Sequence, residues 1–450
     1  MKQPDGSNFR LSRTEIRCRR VPEMSHPQGA VPREERVKDF SRIARKITVV
    51  LFLSQSLSSA GFIAAFTVNA IVGVDLSGQP AMAGVPGAVY VLGQAFGALV
   101  WGLSMERIGR RGGLALGQVI GVIGSAIAVF SVANRSLAFF LAGLVLVGIA
   151  RSAVDLGRFA AAEVHLPEKR GRAISHVVLG STVGAVFGPL LVGPTGKLAQ
   201  WAGVSELAGP YGVGFAGLIL AASLIFAGLR PEPRDVGREI ARLHPESVPR
   251  QGTRPLAEIV RRPGVIVAMV SLVFAQMVMM MPMSITSVHM KAHAHSLSGV
   301  SLVISLHALG MYAFSVISGQ MADRWGRGQT IFLGAAMMLI SCLMAAPSTA
   351  LIPLLAALFL LGVGWNFAYV AGSALLADQL SPGERAKTQG FNDLLLNLTS
   401  AASQAISGVM YAIGGYDVMS LAAAAAAIVP LALAAWWWAA PRKGTTLREP

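Results

Sequence analysis

Cysteine is almost missing from this chain of 450 residues: it has two, Cys18 and Cys342. With no CxxC pair, and with the two thiols far apart in the topology read below, a disulfide framework and a thiolate metal or redox centre are excluded. Acidic residues are scarce too, 23 Asp and Glu against 38 Lys and Arg, and charged residues make up only 14% of the chain. So little charge excludes the composition of a soluble globular protein. The first 40 or so residues lack the apolar core of a signal peptide. Neither a nucleophile–base pairing nor a phosphate-binding loop is present. Gly212-Val-Gly214-Phe-Ala-Gly217 spells a dinucleotide fingerprint, but it sits in an apolar run with no strand before it. An enzyme is therefore excluded.

What the chain has in abundance is hydrophobic residues, 53% of the total. Apolar stretches of about 20 residues, long enough to cross the hydrocarbon of a bilayer as a helix, recur from Ile47 to Trp438, and twelve are counted. The expected fold class is an all-α membrane protein whose partner is the lipid bilayer. Of the basic residues, twelve lie in 1–46, eight in 230–262 and three after Pro441, whereas the loops on the other side carry only Arg135, Lys197 and Lys291. The positive-inside rule then places the N-terminus, the central loop and the C-terminus in the cytoplasm, as an even number of spans requires. The net charge of +15 invites a nucleic-acid reading. These arginines are scattered beside apolar spans without interleaved aromatics, so they read as orientation signals next to anionic lipid, and no nucleic-acid partner is expected.

The chain also repeats itself. Gly102-Leu-Ser-Met-Glu106-Arg107-Ile-Gly109-Arg110-Arg111 returns as Gly319-Gln-Met-Ala-Asp323-Arg324-Trp-Gly326-Arg327, at an offset of 217. Glu163…Pro167-Glu-Lys-Arg170 returns as Asp378…Pro382-Gly-Glu-Arg385, at an offset of 215. Two motifs at nearly one offset imply two six-helix halves. The divisions read from this are a disordered basic arm (1–46), an N-terminal bundle (47–229), a cytoplasmic linker (230–262), a C-terminal bundle (263–438) and a tail (439–450). The doubled G-x-x-x-D-R-x-G-R-[RK] pattern resembles the major facilitator superfamily, with Glu106 in place of the usual acid in the first copy. That resemblance implies two pseudo-symmetric bundles rocking about a midplane site. In such a frame Glu106, Arg107, Arg110, Asp323, Arg324 and Arg327 are gating candidates, their charges latching neighbouring helices in one of two states.

Five methionines fall within seven residues in the seventh span: Met277, Met279, Met280, Met281 and Met283. Residues four apart share a helix face, so Met279 with Met283, or Met277 with Met281, can present two sulfurs together. Pro282 among them is expected to kink or loosen the helix. In the eighth span His307 precedes Met311 at the same spacing. Met279 lies ten residues before His289 at one helix end, and His307 ten residues after Leu297 at the next. Both therefore sit roughly 15 Å deep in a core of about 30 Å. Thioethers and imidazoles are soft ligands that suit monovalent copper. The MxxxM and HxxxM pair resembles the copper-importing, CcoA-type branch of the superfamily, which implies Met279, Met283, His307 and Met311 as ligands of a transported ion, with no bound cofactor. His289, His293 and His295, between the two spans, are candidates for collecting metal at the mouth.

Other signals are of mixed meaning. Arg151 and Asp155 are spaced for an i,i+4 pair in the fourth span, a candidate proton or charge relay. Asn69, Asn366 and Asp393 are weaker candidates of this kind. Gly180, Gly184, Gly188 and Pro189 spell GxxxGxxxGP, which resembles a motif of proton-coupled antiporters but also serves close helix packing. The expectation is a copper importer of the cytoplasmic membrane. The alternatives are a transporter of a small organic molecule, such as a riboflavin-like vitamin or a drug, and a membrane metal sensor that does not transport.

Overall fold

In a computed structural model, residues 33–166, 169–243 and 254–439 are described. All regular structure among them is helical. The first half comprises α1 (Arg33–Ser77), α2 (Val85–Ala133), α3 (Leu137–Asp155), α4 (Gly157–Glu163), α5 (Arg170–Phe187), α6 (Val192–Trp201) and α7 (Gly209–Gly228). A connector with α8 (Pro233–Leu243) and the single turn α9 (Leu256–Ile259) follows. The second half holds α10 (Pro263–Ala292), α11 (Leu297–Ala313), α12 (Ser315–Arg324), α13 (Arg327–Ala345), α14 (Leu351–Asp378) and α15 (Pro382–Ala439).

Eleven helical stretches are long and apolar enough to cross a membrane. The last, Lys387–Ala439, runs for 53 residues and bends at Gly415 (φ 74°, ψ −171°), so it supplies two of the twelve expected spans. Helix α1 already runs through 33–46, part of the segment expected as a disordered arm; its Arg, Glu and Lys residues are good helix formers extending a strong apolar helix. The arm's first 32 residues, with Cys18, and the tail from residue 440 lie outside the described residues. Cys342 is buried in α13. Helix α10 continues unbroken through Pro282, because neighbouring helices in a bundle can satisfy the groups a proline frees. Instead, the breaks fall between α3 and α4, between α5 and α6, and between α11 and α12.

Within the first half α1 packs on α5 and α7, and α2 folds back on itself and on α3. Gly180 and Gly184 of α5, and Gly188 just after it, lie so close to the α1 backbone at Phe52, Ser56 and Ala60 that no side chain fits. Close packing therefore accounts for the GxxxGxxxGP spelling. In the second half α10 packs on α14 and α15, and α14 also takes α11 and α13.

The two halves meet at the end away from the connector. There the Gly84 and Gly87 backbone abuts Gln404, Gly193 abuts Ser298, and Lys291 Nζ lies 2.7 Å from Glu206 Oε1 across the halves. At the connector end α4 and α12 pack within their own halves.

The repeated motif makes one backbone turn twice. Gly109 (φ 82°, ψ 168°) ends the first limb of α2, and Gly326 (φ 114°, ψ 155°) precedes α13, a region of conformation open essentially to glycine alone. Gly109→Ala and Gly326→Ala are each expected to cost about 1–3 kcal/mol, seen as a lower thermal unfolding midpoint in detergent. Unchanged midpoints in both variants would show that the turn is not strained.

Candidate functional site

One arginine of each motif copy is held in ion pairs at the connector end; the Glu106 side chain lies outside the described residues. Arg110 Nε donates to both Glu163 oxygens at 3.0 Å, and its Nη2 also contacts Oε1. Arg327 Nε donates to Asp378 Oδ2 at 3.1 Å while its Nη1 reaches Asp323. Arg110 and Arg327 are 217 apart and Glu163 and Asp378 are 215 apart, so the same latch is built in each half. Arg107 and Arg324 are exposed, and the Arg107 carbonyl accepts from Arg234 at 3.4 Å.

Two partners in the connector were not foreseen. Glu232 accepts from the Arg111 amide at 3.2 Å and also from that of Arg110, capping the helix that restarts after Gly109. At the connector's other end Arg254 Nε and Nη2 donate to Glu384 at 2.6 and 2.7 Å, and the Ser381 amide donates at 3.0 Å. Their only signal in the sequence was acid and arginine flanking the apolar bundles.

The Arg254 guanidinium, with the Ser381 and Arg254 amides, holds the Glu384 carboxyl well below the usual carboxylate range. A lowered folded-state pKa gives a contribution to stability that is full above the unfolded value near 4.5 and is lost as the pH falls below it. The thermal midpoint of the wild type is expected to fall on acidification below about pH 4.5, with a shallower fall in Glu384→Gln. Equal slopes would remove this role for the pair.

Deeper in the first half, Arg151 Nε donates to Asp155 at 3.0 Å. Gln94 Nε2 donates to the same carboxylate at 3.1 Å, and the Arg151 guanidinium lies 5.6 Å from the Phe62 ring centre. On α14, Trp365 stacks on Tyr369 at 4.6 Å and donates to Gln276 at 3.1 Å.

Met279 and Met283 are buried, as is His307, at 1% exposure. The two methionines belong to one apolar cluster against which Met311 packs. Helix α14 gives their relative heights. Antiparallel to it, α10 sets Leu272 beside Gly372 and Gln276 beside Trp365, which carries Met279 and Met283 to the levels of about 364 and 360. On the other flank the His307 ring bonds Leu358, and Gly362 backs on His307 and Met311. Met283 is thus level with His307, and Met279 with Met311. The expected match of Met279 with His307 is off by one helical turn. Met277 and Met281 instead line a cavity of about 440 Å³ against Leu398, Ala402 and Ile406 of α15.

His307 Nδ1 donates to the Leu358 carbonyl at 2.8 Å. Its Nε2 is buried and finds no hydrogen-bond partner among the described residues. The imidazole is therefore held in one tautomer with a free lone pair on Nε2. His289, His293 and His295 are each committed to a backbone carbonyl: Ser348 at 2.9 Å, His289 at 2.9 Å and Thr349 at 2.8 Å. His289 also stacks on Tyr416 at 4.2 Å. Among the described residues, no three His, Cys, Asp or Glu side chains gather as a metal-holding group.

The two halves match in detail here. Gly148 backs on the Tyr90 carbonyl and the Gln94 amide as Gly362 backs on those of His307 and Met311. Tyr90 and Gln94 are therefore the first-half counterparts of His307 and Met311.

Comparison with known proteins agrees with this architecture. The family model of the Major Facilitator Superfamily matches residues 51–293 and 268–450. An uncharacterized MFS-type transporter of Bacillus subtilis (strain 168), YddS, is 36% identical over 385 residues, 85% of this chain and 88% of the relative. The riboflavin transporter RfnT of Brucella anthropi is 30% identical over 380 residues, 84% of this chain and 92% of RfnT. Among solved structures, a peptide transporter POT in complex with sulfate superposes with a TM-score of 0.64 at 15% identity, over 88% of this chain and 98% of that one. A bacterial homolog of the human lysosomal transporter Spinster, in an inward-facing and unoccupied conformation, gives 0.63 at 17% identity, over 87% and 94%. At such identities the structures speak for the fold alone.

Proposed function

Since the chain belongs to the Major Facilitator Superfamily, we propose that it is a copper importer working by alternating access, with Met279, Met283, His307 and Met311 as ligands of the monovalent ion in transit. The observation that carries this reading is His307. A ligating imidazole characteristically donates its other N–H to a carbonyl that fixes its tautomer and orientation, and His307 does so to Leu358 while Nε2 stays unpartnered. The levels of the four residues along α14 support the reading further.

Neutral thioethers suit a carrier. They require no buried anion, which would cost several kcal/mol in hydrocarbon, and they bind less tightly than thiolates, so release is feasible. The connector end is taken as cytoplasmic, from the clustering of basic residues, which makes the present arrangement closed to the outside. With the interior negative, each inward positive charge gains about 2.3 kcal/mol per 100 mV, enough for uniport. Arg151 and Asp155 are retained as a charge relay, and His289, His293 and His295 as the outer mouth. The test is copper accumulation in proteoliposomes under an imposed potential; no accumulation above empty vesicles would reject the reading, and binding without movement would indicate a sensor.

A second reading, a carrier of a small planar organic molecule, is favoured by the Arg151–Asp155 pair and the stacked Trp365 and Tyr369, together with the likeness to RfnT. It is selected if the same vesicles accumulate riboflavin and ignore loss of the four ligands.

A further inference from the structure

The eighth span is two helices. Phe314, between α11 and α12, has non-helical backbone angles (φ −94°, ψ 5°), and no proline or glycine causes the break. Opposite it on α14 stands Asn366, 2% exposed. Its Nδ2 donates to the Met311 carbonyl at 2.6 Å and to Ser315 Oγ at 2.8 Å, while its Oδ1 accepts from Ser318 Oγ at 2.7 Å. Because a carbonyl only accepts, the amide orientation is dictated. Asn366 thus holds the last turn of α11 and the first turn of α12 at once. At its far end α12 carries Asp323, tied through Arg327 to Asp378 at the end of the same α14. Helix α12 is pinned to α14 at both ends, once beside the Met311 ligand and once in the connector-end latch.

We infer that Asn366 is a positioning residue that couples the metal site to the gate: it fixes Met311 through its carbonyl and sets the angle at which α12 leaves the break. Loading of the site and movement of α12 are then one event, transmitted through a single amide. In transporters, interrupted helices at the binding level are where such movement is absorbed. This inference rests on the copper reading for its ligand, but the clamp itself does not.

The experiment is hydrogen–deuterium exchange over residues 315–324 of the purified full chain, with and without Cu(I), alongside Cu(I) affinity. Asn366→Leu keeps the branched outline of the side chain and removes the three bonds; Ser318→Ala removes only one of the two bonds to α12. Without metal, Asn366→Leu is expected to raise exchange in α12 about tenfold and Ser318→Ala by less, as loss of buried hydrogen bonds predicts. Cu(I) slows exchange in the wild-type α12 and leaves that of Asn366→Leu unchanged, while affinity in Asn366→Leu falls about tenfold and in Ser318→Ala stays near wild type. Unchanged exchange in both metal-free variants overturns the clamp. A wild type that binds no Cu(I) overturns the copper reading, with the metal-free comparison still deciding the clamp. Equal responses to Cu(I) in wild type and Asn366→Leu overturn the coupling.

Discussion

Substituting leucine for Met279, Met283 and Met311 and alanine for His307 together is expected to bring copper uptake down to the level of vesicles without protein, at equal amounts of protein in the membrane. Leucine matches methionine in volume, and such exchanges in a core usually cost less than about 1.5 kcal/mol, so the loss reports sulfur rather than packing. Single substitutions should lower uptake by at least about 10–100-fold, the range reached when even an outer partner of a metal ligand is removed. Met277 and Met281 supply the contrast. They line the cavity against α15, so leucine at both is expected to leave uptake within about twofold. Wild-type uptake by the quadruple variant, or loss on changing Met277 and Met281 instead, would discard the assigned ligands.

Gly84→Leu should cut turnover by a different route. A side chain at Gly84 would land on the Gln404 backbone carbonyl of the other half, and backbone cannot step aside as a flexible side chain can. The end of the bundle that is now shut could then no longer close. Overpacking typically costs about 1–3 kcal/mol, and each 1.4 kcal/mol shifts a two-state balance roughly tenfold, so the closed population falls by about one to two powers of ten. Spin labels at the exposed positions Trp201 and Ile413, one in each half, should move apart, and transport should fall in proportion. Unaltered label distances with full transport would show that the halves do not need to meet at Gly84.

Much of this was readable from the chain because its physics is local. Apolar length gives the spans, and the doubled motif gives the halves and both partners of the Arg110–Glu163 and Arg327–Asp378 pairs. The glycines at 109 and 326 announce a turn that other residues resist. The break in the eighth span was not readable: hydropathy runs evenly through Ala313–Ser315, and the only proline near the methionines, Pro282, leaves its helix intact. The side chain that bridges the break in the eighth span sits on α14, and nothing in the sequence of the eighth span points to Asn366. The side on which each sulfur lies was equally hidden: spacing allowed two MxxxM registers, and only packing against α15 separates Met277 and Met281 from Met279 and Met283.

The connector is moored twice, by Glu232 to the amides at Arg110 and Arg111 of one half and by Arg254 to Glu384 of the other. Helix α8 packs on the first half, so Leu243 and Arg254 belong to opposite halves, and the eleven Cα–Cα steps that join them can span at most roughly 36–40 Å. That covalent limit caps how wide this mouth can gape, so the stroke of the carrier is bounded from outside its binding site.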